Sequence, residues 1–203
     1  MGLFSFLKRK PKTALDCLEA DEVRTADAPL SEEGGFRIEG FWHDNDESVQ
    51  RHICAPATED SIRAVEEELG YRLPDSYKGL LRHHNGGLVN RCRYRVPAPG
   101  EGCPDMIYIT EILGIGSDAP CSLCGRFGSR FLINSRRHNP EIGVAVCNTT
   151  LPGRALVFLD YRKCGPKGEP CVTYSDAMTG LEMPLARDFE SFVLGLEDNI
   201  IKR

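Results

Sequence analysis

The chain lacks most of the features that announce a chemistry. No apolar run approaches the ~18 residues that span a bilayer. No Gly-x-Ser-x-Gly elbow is present to hold a hydrolase nucleophile. Gly165-Pro-Lys-Gly168 lacks the Gly-Lys-Ser/Thr ending of a phosphate loop, and Gly114-Ile-Gly116 lacks the third glycine of a dinucleotide fingerprint. Asp44-Asn-Asp-Glu47 has neither the ligand spacing nor the glycine of a calcium loop, and reads as a turn. Basic residues are not in excess: 25 stand against 30 acidic ones, for a net charge of −5. That balance argues against a general nucleic-acid binder and permits a basic protein partner. Internal repeats and extended low-complexity tracts are absent as well.

What is present is ordinary for a globular domain. Apolar residues make up 41% of the 203, enough to build a sizeable core without metals or disulfides. Residues 1–35 are weakly patterned, end in Ser31-Glu-Glu-Gly-Gly35, and read as a tail and linker with a short helix near 14–23. Their first ten residues place the apolar stretch before the charges, the reverse of a secretory signal. Gly2 lacks the Ser or Thr that myristoylation wants, because Phe6 holds that place. The segment is expected to fray. Its sharper alternative is a weak membrane contact through Leu3, Phe4, Phe6 and Leu7 with nearby lysines. The nine cysteines, an odd number, are expected to be reduced thiols in a cytoplasmic protein.

The domain is expected over residues 36–203. Thr58 can cap a helix carrying Ile62, Val65 and Leu69 at helical spacing, and Gly70 suits its end. Leu73-Pro74 opens a second helix with Tyr77, Leu80, Leu81 and His84 on one stripe, stopped by Asn85-Gly86-Gly87. Residues 93–96 and 106–109 read as strands, 111–116 as a strand or short turn, and 117–130 as a loop. Residues 142–147 and 155–161 form one expected hairpin, and 171–174 and 181–185 another, with Pro184 placing its strand near an edge. Phe189, Phe192, Val193, Leu196 and Ile200 form the stripe of a closing helix. The fold class is therefore α+β: a mostly antiparallel sheet flanked by an N-terminal helical pair and a C-terminal helix.

Candidate reactive groups each have a plainer reading beside them. Cys121-Ser-Leu-Cys124 has the spacing of half a zinc site, but the second pair is lacking. Cys103 or His138 can complete it in principle, so Cys121 and Cys124 stand as the candidate metal ligands, with no metal or cofactor assigned. His83 is expected exposed and His84 packed, neither beside an evident nucleophile. Asp160 follows an apolar strand, where it either caps a turn or acts as a carboxylate; Tyr161 is expected over the sheet edge. Arg91, Arg93 and Arg95 alternate along a strand and can bind an acidic partner or nucleic acid, but the commoner reading is the charged face of an edge strand. Trp42, the single tryptophan, reads as a core or lid residue.

Four ordered blocks resemble the SUKH superfamily, the group of the yeast Smi/Knr-type cell-wall regulators and many bacterial immunity proteins. They are Phe41-Trp42; the hairpin from Glu68 through Leu73-Pro74 and Tyr77 to Asn85-Gly86-Gly87; Asp160-Tyr161 with Gly165, Glu169 and Pro170; and the closing segment with Phe189 and Phe192. The resemblance covers residues 41–196 and excludes the tail and the 117–130 loop. It implies binding rather than catalysis: an immunity protein that neutralises a cognate toxin domain in the cytoplasm. It implies no enzymatic activity, and leaves the motif residues a mainly structural role. The alternatives are a regulatory scaffold for a cellular partner and, behind it, a zinc-containing enzyme built around Cys121, Cys124 and the histidines.

Overall fold

A computed structural model describes residues 38–97 and 99–198. The expectations for the 1–35 tail, its short helix, its membrane contact, Cys17 and Ile200 lie outside the described residues. Three helices precede the sheet: α1 (Asp46–His52), α2 (Glu59–Leu69) and α3 (Asp75–His83). Short β1 (Gly87–Leu88) and β2 (Arg91–Arg95) follow, then β3 (Met106–Ile112) and α4 (Ser129–Arg136). A single 3-10 turn (Pro140–Ile142) leads into β4 (Gly143–Thr149), β5 (Ala155–Asp160), β6 (Cys171–Asp176) and β7 (Leu181–Ala186). The described chain closes with α5 (Phe189–Leu194) and β8 (Leu196–Asp198). The strands form one antiparallel sheet in the order β7-β6-β5-β4-β3-β2-β8, with β1 pairing with β3. Among the described residues, no helix is long and apolar enough to cross a membrane.

The helical hairpin forms as its caps dictate. Thr58 Oγ1 accepts the Ser61 N–H at 3.1 Å and Ser61 Oγ accepts the Thr58 N–H at 2.9 Å, a reciprocal pair that satisfies two orphan donors. Gly70 ends α2 in a left-handed conformation, and Pro74 precedes α3. Ile62, Val65, Tyr77, Leu80 and Leu81 are buried on the shared face. α3 packs on α5, and α5 lies over β6 and β7. Tyr77 meets Phe189 edge-on at 4.9 Å, joining hairpin and closing helix in one core. β5 is buried at all six positions, as a central strand covered on both faces must be.

Five expectations change. Asp46 and Glu47 open α1 rather than a turn. Residues 129 and 130 leave the expected loop to begin α4, whose Leu132 and Ile133 pack inward against β4. Of residues 111–116, only Glu111 and Ile112 belong to a strand. β2 is not the sheet edge, because β8 pairs outside it and brings Glu197 to Arg93 and Asp198 to Arg91. The closing helix stops at Leu194, and Leu196, expected on its stripe, enters β8 instead. Its burial against Tyr94 in β2 explains why an apolar residue sits there. Pro184 lies in β7, an edge strand as expected.

Candidate functional site

The motif residues are joints of the fold. Asn85 is buried and donates from Nδ2 to the Ala55 carbonyl at 2.6 Å and the Ile115 carbonyl at 2.9 Å. Its Oδ1 accepts the Ile115 N–H at 2.7 Å, and its own carbonyl accepts the Cys54 N–H at 2.9 Å. One side chain thus ties the α1–α2 connection to the chain leaving β3. Gly86 lies against Gly114 so closely that a Cβ there would sit 2.5 Å from the Gly114 nitrogen and 2.8 Å from the His52 carbonyl. Gly87, at φ +146, leaves room for His84, which stacks on Trp42 at 4.4 Å and meets Asp44 at 3.0 Å. Trp42 is a half-buried lid over this stack. His83 is exposed.

The second block is equally structural. Asp160 accepts hydrogen bonds from the Arg162 backbone and guanidinium and from Thr173 Oγ1 at 2.9 Å. Burial works to raise this carboxyl, but those donors outweigh it and hold it below the usual carboxylate range. Tyr161 donates to the Arg72 carbonyl and packs at a tilt against Tyr71, ring centroids 4.6 Å apart, fixing the hairpin to β5. Gly165 turns at φ +74. Leu73, Pro170, Phe189 and Phe192 are buried. Glu169 borders a groove with Leu73 and Pro74, where burial and then the neighbouring Asp188 and Asp75 push its carboxyl up.

Reactive side chains gather elsewhere, on a cleft of about 620 Å³ beside α1 and α4. His52 comes from the last position of α1, Glu111 from β3 and Cys121 from the loop before α4. One donor atom from each lies within 4.8 Å of the other two. The local fold explains the convergence. A bulge at Thr110 sets Glu111 opposite Asn148 of β4, and Asn148 Nδ2 donates to Glu111 Oε1. The Cys121 N–H donates to the Arg51 carbonyl at 2.9 Å, seating the loop on the end of α1. Glu111 Oε2 and His52 Nδ1 are in contact as an ion pair. The His52 imidazole is pushed up to about 9, first by the Cys121 side chain and next by the Glu111 carboxylate, with burial opposing.

The expected pair is split. Cys121 faces His52 and Glu111, whereas Cys124 faces Glu68 and Arg130, and its thiol is pushed up to about 12 by burial and then by Glu68. Neither proposed completion joins them. His138 engages Ser175 Oγ at 3.1 Å and the Gly153 carbonyl at 2.9 Å, and Cys103 lies in the loop after β2. His52 and Glu111 carry no sequence signal as site residues, since they share no motif with Cys121. The eight described cysteines are all free thiols.

The chain matches the SMI1 / KNR4 family (SUKH-1) over residues 56–195, from the start of the helical hairpin to the end of the closing helix. No curated protein and no solved structure matches it at significance. The match spans more than half of the chain and contains the hairpin, the Asn85 joint and the Asp160–Pro170 block: this protein belongs to the SMI1 / KNR4 family (SUKH-1).

Proposed function

We propose that this protein is a non-catalytic protein-binding domain, an immunity protein that neutralises a cognate toxin domain in the cytoplasm. The observation that carries the reading is the family match over residues 56–195. Two features support it. The motif residues are spent on caps, turns and core contacts, which leaves the surface free to diverge toward one partner. The net charge of −5 suits a basic partner such as a nuclease toxin, whose substrate cleft an acidic inhibitor can approach and cover.

The test is co-expression with the adjacent open reading frame, scored for growth and for co-purification. Growth rescue with a stable complex supports the immunity reading. Toxicity that the chain does not relieve overturns it and favours a regulatory scaffold, the other role implied by the family resemblance.

A further inference from the structure

We propose that His52, Glu111 and Cys121 form a binding site for a single divalent transition metal of zinc's class, with a remaining coordination position open to the cleft. The donor set points to that class. A thiolate and an imidazole are soft to borderline ligands, which disfavours magnesium and calcium and suits zinc, cobalt or ferrous iron. A tetrahedral ion with bonds of about 2.0–2.3 Å holds its donors about 3.5 Å apart. The three donor atoms already lie within 4.8 Å of one another. A small adjustment of side chains at a helix end, in a strand and in a loop, which parts the touching His52 and Glu111 atoms, gives that spacing.

Three independent features fit a metal better than a bare hydrogen-bonded cluster. First, Glu111 Oε2 and His52 Nδ1 are buried against each other, and neither has a hydrogen-bond partner outside the three-residue cluster. The Glu111 side chain is only 6% exposed, so its charge is held by partners within the cluster. A cation that parts the two atoms takes both as ligands. Second, the other carboxylate oxygen is already held by Asn148, the outer-shell partner that orients metal-ligating carboxylates. Third, charge closes: a thiolate, a carboxylate and a neutral imidazole cancel a dication, which keeps its burial affordable. Three protein ligands facing a cleft walled by Phe127, Phe131 and Leu132 leave one position for water or a partner's donor group.

The experiment uses the full chain, kept reduced, stripped with chelator and titrated with Co²⁺ and then Zn²⁺. One equivalent of cobalt should bind with a thiolate-to-cobalt charge-transfer band and tetrahedral visible bands, and zinc should displace it. Cys121→Ser, a near-isosteric change, should abolish the charge-transfer band and weaken zinc binding at least tenfold. Cys124→Ser should leave both unchanged. Where Glu111→Gln does not fold, Asn148→Ala tests the carboxylate instead and should weaken binding about 10–100-fold. Folded wild-type protein that retains no cobalt or zinc overturns the proposal, and so does a cobalt charge-transfer band that survives in Cys121→Ser. Neither result depends on the toxin or its identity.

Discussion

Asn85 and Ile115 hold each other at two points: Asn85 Oδ1 accepts the Ile115 N–H at 2.7 Å while its Nδ2 donates to the Ile115 carbonyl at 2.9 Å. This exchange has the form of a β-ladder pair made by a side chain, and it replaces a strand where the chain leaves β3. Asn85→Asp keeps the shape and removes the donor, so the Ala55 and Ile115 carbonyls face a buried carboxylate. Each group left unpaired costs about 1–3 kcal/mol, and the charge adds to that. Asn85→Asp should lower Tm by more than Asn85→Ala in thermal melts at neutral pH. Equal melting of the two variants would mean the amide is not the joint described here.

Gly86 and Gly70 both have a left-handed backbone, but for different reasons. Gly70 is open, with nothing within 4 Å of a built Cβ, so Gly70→Ala meets only the backbone penalty of about 1–2 kcal/mol. Gly86 adds a collision with the Gly114 backbone at 2.5 Å. Gly86→Ala should therefore destabilise clearly more than Gly70→Ala, read as the midpoint shift in urea unfolding. The reverse order would contradict the close approach of the two glycine backbones.

The parts of the fold that were readable in sequence are those set by local chemistry. Thr58, Gly70 and the Ile62–Val65 spacing fix a helix through neighbours in the chain, and the structure places them so. α1 was not readable because its described side chains are exposed apart from the half-buried His52, so no apolar stripe marks it. The sequence overextends α5 because Leu196 has the helical spacing, whereas its burial comes from pairing with Tyr94 of β2. The Cys121–Cys124 spacing is uninformative for a similar reason. Turn geometry aims the two thiols at different neighbours, and Cys121 gains its companions from α1 and β3 through its backbone bond to Arg51 and the Thr110 bulge. Long-range register of that kind has no local signature.

Leu80 tests whether the hairpin carries the core. It is 2% exposed in α3, the helix that packs on α5. Leu80→Ala should cost about 2–5 kcal/mol. For a chain of this size each kcal/mol lowers Tm by about 2–4 °C. Leu80→Asp buries an unpaired charge and should leave little folded protein by circular dichroism. Wild-type-like melting of Leu80→Asp would place the core elsewhere.

Asp160 predicts how stability depends on pH. Its folded carboxyl lies below the ordinary value of about 3.9, because donors from Arg162 and Thr173 outweigh burial. A lowered folded-state pKa means the unfolded chain binds the proton more readily. The stabilisation is therefore fully present above the unfolded value and is lost as pH falls through the folded one. Asp160→Asn removes the charge, so Arg162 loses an ionic partner and retains only Glu182. In urea melts the variant should be less stable than wild type near pH 6, and the gap should narrow steadily below pH 4 as wild-type Asp160 takes up its proton. A gap that stays constant down to pH 2 would show that Asp160 acts through its shape and hydrogen bonds alone, and that its charge contributes nothing to the joint between β5 and β6.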